Sequence, residues 1–528
     1  MSMSSRDDAL RTHEIEPARS GANEPSDSTR RVGMRMNALA SAIGHGTFFA
    51  ATFLTTPIAI RHLGDAQWGI WQIVGAATQY ALILSLGLGT AIQYQVSYLS
   101  ARQDYARLAT AFTSVRLYFL AVALAMGGAL AIAGLPLLRT LVDPDQVPLA
   151  WQALLVTVGL TAVTLPIRFY QSVLGGLQRF DLFCVFQLGA GVAIFAGVSG
   201  GFRLGMGLTG FALVMGLCTA TPFVASWLAL RRMLPRVAFR WVGVDLSLLG
   251  SMVTYSLSTT VFLTGTVLLY QTMKFLASWA CGGTEAAGRI GLVINIVQTI
   301  AVVFTPLFSV VLSRVAQLHG EGRLDAIAPL LNRVCVLNGL AVVPTVIFLG
   351  IAARSVFEAW LGSSVSPAAV VQLARTTQIM LLGQAAYALT LPGYHALLGV
   401  GEHRAFGMGM LAAGSASVAL GWVAARAHPE IESLALAFSV AMVGLFLFVT
   451  LPVLVRRFTL DVRSFLGRGV ALPALASLPG AVALGLRPRL GRPLLDLIAD
   501  AAIFGVALLP WLGLVRRLLR VPAAAAEA

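Results

Sequence analysis

Of the 37 basic side chains in this sequence one is a lysine, Lys274, and it lies in the apolar run LLYQTMKFLASW at positions 268–279. At 100° per residue a helix here would place Tyr255, Ser258, Thr259, Thr266, Tyr270 and Lys274 within an arc of about 160°. Further upstream, Thr157, Thr161, Thr164, Arg168, Gln171 and Ser172 fall on one face by the same arithmetic. Asn295, Gln298, Thr305, Ser309 and Ser313 share another face, as do Ser41, His45, Thr52, Thr55 and Thr56, and the pair Gln72 and Gln79. Hydroxyls, amides and two cations on helix faces suit one kind of chemistry, the non-covalent binding of a polar anion such as a phosphate. Each stripe also has a structural reading. Ser and Thr mediate helix packing, and Lys274 and Arg168 are placed to snorkel outward and inward respectively. His45 is either a proton relay or a hydrogen-bond donor between helices.

Other chemistries are absent. The sequence has no metal-ligand spacing, P-loop, nucleophile motif or paired carboxylates, so no enzyme activity, metal or cofactor is expected. The first and seventh apolar stretches contain no Asp or Glu, whereas an exporter trading protons or sodium for organic cations needs an acid in its cavity.

The elements that must position these residues are membrane spans. The chain has 528 residues, 57% hydrophobic and 11% charged, far from the roughly 25% charged residues of a soluble domain. Fourteen apolar stretches, at 37–60, 68–89, 112–137, 150–172, 181–200, 207–230, 249–276, 289–312, 332–352, 371–398, 405–425, 433–455, 468–486 and 494–515, can each cross the bilayer as a helix. The expected fold class is all-α, a polytopic membrane protein of about 14 transmembrane helices. A net charge of +14 would point to nucleic acid in a soluble protein; here the arginines cluster between spans, a topology signal. With the N-terminus cytoplasmic, 25 arginines fall on the inside and 10 on the outside, which places both termini in the cytoplasm. Trp68, Trp71, Trp151, Trp279, Trp360 and Trp422 then fall at the outer interface.

Residues 1–36 are polar and of mixed charge and read as a disordered tail. The expected division is a first lobe at 37–231, a second at 247–456, additional helices at 467–516 and a cytoplasmic tail at 517–528. A repeat links the lobes: Gly176 and Arg179 in LGGLQRF match Gly401 and Arg404 in LGVGEHRAF, and YLSARQDYARL matches VLSRVAQLHGEGRL. The offset equals six spans, so the two lobes share one orientation.

The stretch at 54–108, with Pro57, Leu63, Gly64, Gly69, Gly87 and Gly89, resembles the start of bacterial Wzx-type polysaccharide repeat-unit flippases, in the multidrug/oligosaccharidyl-lipid/polysaccharide exporter superfamily. VLGGLQRFD and FTPLFSVVLSRVAQLHGEGRLD also look like that family, and the resemblance covers most of 37–457. It implies a MATE-like bundle of two six-helix lobes around a central cavity, plus two C-terminal helices. It further implies alternating access, moving a polyprenyl-pyrophosphate-linked oligosaccharide across the bacterial inner membrane for lipopolysaccharide or exopolysaccharide synthesis. The partners it implies are the lipid-linked oligosaccharide, membrane lipids, and a polysaccharide polymerase and glycosyltransferases, with no nucleic acid. The alternatives are a MATE-like small-molecule exporter and a lipid II flippase. The family carries no short site signature. The candidate contacts therefore come from polarity alone: Lys274, Arg168, Tyr270, Gln72, Gln79, Asn295 and Gln298, with His45 as the relay.

The arginine bias gives a testable topology. Single cysteines at positions 236, 323 and 457, in a chain lacking the four native cysteines, should resist an impermeant thiol reagent in intact cells. Labelling of position 236 would invert the assignment.

Overall fold

The computed structural model describes residues 27–85, 87–234, 242–402 and 404–519, and all regular structure in them is helical. Helix α1 (Asp27–Leu82) carries the first two predicted spans, and its backbone leaves the helical region at Gly64 (φ 77°, ψ 169°), a conformation only glycine adopts at little cost. The helix starts at Asp27, within the segment expected to be a disordered tail. Once a long helix is nucleated, each further turn into water costs little. Residues 1–26, and the side chain of His45, lie outside the described residues.

A 3₁₀ turn (Ile83–Ser85) and Gly87 at φ 61° separate α1 from α2 (Leu88–Ala101), so the second span is broken and longer than expected. Helix α3 (Tyr105–Ala129) passes through a π-helical stretch (Leu130–Gly134) into α4 (Leu135–Leu141). Helices α5 (Val147–Gly176), α6 (Phe180–Arg203) and α7 (Leu208–Met233) follow. After them come α8 (Leu246–Ala280), α9 (Gly283–Gly320), α10 (Ile327–Leu361), α11 (Pro367–Gly399) and α12 (Arg404–Ala427). Helix α13 (Ile431–Gly444) runs through a second π-helical stretch into α14 (Leu451–Phe458). Finally α15 (Val462–Ser464), a third such stretch and α16 (Leu472–Leu486) form one span, and α17 (Pro493–Leu519) another.

Short polar side chains start several of these helices. Asp104, Asp245, Ser366 and Asp461 each accept a hydrogen bond from a backbone N–H of the first turn, satisfying a donor that the helix leaves open. All fourteen predicted stretches fall on helices. Among the described residues eight segments are individually long and apolar enough to cross a membrane, and α8 adds a ninth as a pair, Leu246–Thr254 and Thr259–Ala280, bent by 54°. The chain is a multi-pass membrane protein. Helix α11 falls short of that mark: it lies inside the bundle, with Thr376, Thr377, Gln384 and Thr390 buried.

Two lobes result, α1 to α7 and α8 to α14, while α15 to α17 pack on α10. Asp500, the acid well inside the last span, pairs there with Arg487 at 2.5 Å, and Arg487 also holds Asp496 at 2.6 Å. Within the second lobe α8 and α12 approach closely because a Cβ at Gly265 would stand 2.5 Å from the Met410 carbonyl. Four turns at the end away from the tryptophans end alike: Gln103, Gln178, Gly322 and Gly401 have positive φ, and the backbone N–H groups of Asp104, Arg179, Arg323 and Glu402 donate back to the carbonyls of Leu99, Leu174, Leu318 and Leu397. This register pairs Gln178 with Gly401, two residues from the sequence alignment. The motif is general to helix ends, for Gly205 closes α6 in the same way.

The tryptophans divide. Trp279 and Trp422 are exposed, and the Arg426 guanidinium lies 3.9 Å from the Trp422 ring centroid, as suits a membrane interface. Trp68 is buried, and Trp360 stacks on Phe53 with centroids 4.2 Å apart and donates Nε1–H to its carbonyl at 2.9 Å. These two join the lobes instead of facing lipid. A stacked pair of this kind contributes roughly 0.5–1.5 kcal/mol beyond its buried area. At the same end a Cβ on Gly69 would coincide with the Thr284 carbonyl, Gly291 fits against Gln72, and Ser278 donates to the Leu141 carbonyl. This tryptophan end is closed.

Asp65, in the turn after Gly64, sits against this closure. Burial pushes its carboxyl above the usual value and Glu285 adds to the effect, while Arg289 partly offsets it. A raised acid binds its proton more tightly in the closed arrangement. Closure therefore gains stability as pH falls through the raised value, and the gain is complete below the ordinary 3.8. Spin labels at Leu204→Cys and Pro429→Cys, both exposed at this end, should report more of the closed distance on acidification. Asp65→Asn should remove that acid-side change.

Candidate functional site

The first lobe encloses a cavity of about 750 Å³, within the range of small-molecule sites. Its walls come from α1, α5, α6 and α7, and α8 crosses it with Thr260, Leu263 and Val267. All six residues of the predicted α5 face line it: Thr157, Thr161, Thr164, Arg168, Gln171 and Ser172. Helical spacing fixes that face, since residues three and four apart stack on one side.

Arg168 is the only charged residue among the described lining residues. Its guanidinium lies 5.0 Å from the Phe223 ring centroid, and no carboxylate or other acceptor holds it among the described residues. The head group stays in the cavity. Its donors are thus free for a ligand, and a guanidinium matches two phosphate oxygens at once.

The threonines supply the opposite polarity. Thr157, Thr161 and Thr164 donate to the carbonyls of Ala153, Thr157 and Leu160, each at 2.8 Å, and Thr52, Thr78, Thr219 and Thr260 bond to their own helices in the same manner. With the proton directed at the backbone, the oxygen lone pairs remain as acceptors for hydroxyl donors. Gln171 and Gln187 add amides to the wall, and their Nε2 and Oε1 atoms respectively are buried without a partner. Phe48, Trp71, Phe119, Phe169 and Phe223 give it apolar faces. The arrangement fits an anionic, polyhydroxylated ligand and holds no group placed to break a bond.

Of the residues singled out in the sequence, Arg168 and Gln79 line this cavity and Gln72, Tyr270, Lys274, Asn295 and Gln298 do not. Gln72 is buried against Gly291. Tyr270 donates to Gln384 Oε1 at 2.7 Å inside the second lobe, and Lys274, one turn on, is 7% exposed. Burial removes the outward snorkelling route for Lys274. The Asn295 carbonyl accepts from Thr299, and Gln298 is half-buried. The cavity faces expected from both lobes therefore come from the first lobe and one side of α8. Sequence inspection passed over Gln187, Thr219 and Thr260, which belong to none of the polar faces read there. Their cue would have been position on α6, α7 and α8 relative to α5, which sequence does not give.

The molecule can now be set beside known structures. An inward-facing multidrug resistance MATE family transporter of the MOP superfamily aligns with TM-score 0.66 and 13% identity, over 78% of this chain and 94% of that one. The chain has the MATE-like fold. The lipid II flippase MurJ, in an inward closed conformation, aligns with TM-score 0.60 and 12% identity, over 94% of this chain and 100% of the flippase. A MOP superfamily transporter from Pyrococcus furiosus, described by the reversed polarity of its binding pocket, aligns with TM-score 0.61 and 12% identity, over 80% of this chain and 95% of that one. These proteins are transporters and flippases rather than enzymes. No family model matches the sequence, and no curated protein matches it.

An uncompensated guanidinium in the cavity wall favours an anionic ligand. Arg168→Gln should weaken binding of inorganic pyrophosphate to the purified protein by roughly tenfold or more, the worth of about 1.5–3 kcal/mol for hydrogen bonds to a charged group. Arg168→Lys should retain part of the affinity, because the charge stays and the fork is lost. Calorimetric titration of the three proteins distinguishes these outcomes.

Proposed function

We propose that this protein moves a polyprenyl-pyrophosphate-linked oligosaccharide across the bacterial inner membrane by alternating access, for surface polysaccharide synthesis. The observation that carries the reading is the composition of the cavity wall: one uncompensated guanidinium, a ladder of acceptor hydroxyls and aromatic faces, in a MATE-like bundle. Arg168 neutralises the phosphate charge, the threonines and Gln79 accept from sugar hydroxyls, and the aromatic rings pack on sugar faces. The lipid tail stays in the bilayer, because only the sugars and phosphates meet a barrier in hydrocarbon. Gln72, Tyr270, Asn295 and Gln298 support the helices that move. Both termini are cytoplasmic in this scheme, and a polymerase and glycosyltransferases act on the same lipid before and after it.

A lipid II substrate is the second reading, favoured by the 94% of this chain that aligns with the lipid II flippase MurJ. A small-molecule cation exporter is disfavoured by the absence of any acid among the described lining residues.

Purified protein in liposomes should accelerate the transbilayer movement of a fluorescent polyprenyl-pyrophosphate oligosaccharide, read by quenching of the outer-leaflet pool, and Arg168→Gln should slow it. Movement no faster than in protein-free liposomes, with ion gradients of either sign imposed, would overturn the reading.

A further inference from the structure

The headgroup cavity leaves one cation of the spans without a role. Lys274 is 7% exposed, and among the described residues no acceptor lies within hydrogen-bond distance of it and no carboxylate within ion-pair distance. Tyr270 stands one turn before it on the same face of α8. Other buried polar atoms of this lobe are also unpartnered: Gln384 Nε2 and Thr377 Oγ1 on α11, and Ser417 Oγ on α12. Titratable and charged groups on the elements around α8 do not compensate Lys274. Helix α1 brings Tyr80 and Asp65, α9 brings Glu285 and Arg289, α11 Arg375 and Tyr387, α12 Arg426, and α13 Glu432. Of the carboxylates, Glu285 pairs with Arg289 and Glu432 accepts from Gln372. A buried ammonium without counter-charge is strongly disfavoured, whereas the neutral amine is tolerated.

The place of Lys274 on α8 gives this a consequence. Thr272 and Ser278 flank it, and both bind the first lobe, through Tyr80 Oη and the Leu141 carbonyl. Opening the tryptophan end breaks these two contacts and admits water to the stretch between them. The same face of the helix, about two to four turns before Lys274, lines the headgroup cavity through Thr260, Leu263 and Val267.

We propose that Lys274 is a proton-binding site linked to opening of the tryptophan end: its Nζ lone pair takes a proton from the water admitted as that end opens and returns it to that water as the end closes. The proposal rests on the alternating-access reading and is independent of the headgroup's identity.

The spin-label pair Leu204→Cys and Pro429→Cys, in a chain lacking native cysteines and carrying Asp65→Asn, tests it in lipid vesicles without substrate. The ratio of open to closed distances should rise as pH falls, by up to about tenfold per pH unit for one linked proton. Lys274→Met and Lys274→Gln should flatten that dependence to under about twofold across the same range, and Lys274→Arg, permanently charged, should stay open throughout. Both neutral variants should melt at or above the parent temperature, since they remove the cost of keeping a buried, unpartnered amine neutral. A pH slope preserved in either neutral variant, or none with lysine present, overturns the proposal. Failure of headgroup movement in liposomes, by contrast, would leave this slope untouched.

Discussion

Hydrocarbon accepts no hydrogen bonds, and every polar atom of this chain is arranged around that fact. Backbone groups are satisfied within helices. The threonines of the cavity satisfy their own protons on the preceding turn. Of the groups left unsatisfied among the described residues, the Arg168 guanidinium is turned into the cavity, where a polar ligand could meet it. A site built this way is costly when empty of both water and ligand, which is a reason for its residues to be few and its walls largely apolar.

The second organising feature is α8. Its stretch from Thr260 to Val267 closes the first-lobe cavity, Tyr270 one turn on enters the second-lobe core, its start leans on α3 through Ser114, and its end touches the first lobe at Ser278. A helix held at both ends by one lobe and packed along α12 of the other cannot keep all of these contacts when the lobes move. The 54° bend between Leu246–Thr254 and Thr259–Ala280 marks where the two sets of contacts divide. The closed end, by comparison, depends on close backbone approach at Gly69 and on the Trp360–Phe53 stack, contacts that either form together or not at all.

Much of this was legible in the residues. The apolar stretches gave the order of the helices, because length and hydropathy decide what can cross a bilayer, while α1, α9 and α10 run up to about ten residues beyond them. The α5 face was legible completely, since six polar residues recur at helical spacing and a helix has only one way to place them. The break after Leu82 was not, although Gly87 and Gly89 stand there, because apolar residues run through it and hydropathy is blind to a single positive φ. Trp68 and Trp360 were misread as interface residues for a related reason: nearness to a span end is a property of sequence, and facing lipid is not.

The sequence by itself determined that the chain spans a membrane, that its helices carry polar faces, and that its uncompensated groups are basic. Periodicity and composition carry that information locally. Only the tertiary structure decided which polar faces share a cavity. Arg168 and Lys274 look alike as lone cations in apolar helices, yet one opens into a ligand-sized space and the other is buried where α8 meets its neighbours. The difference lies in how each helix is rotated against its neighbours, which is set by glycine contacts and packing between segments far apart in the chain.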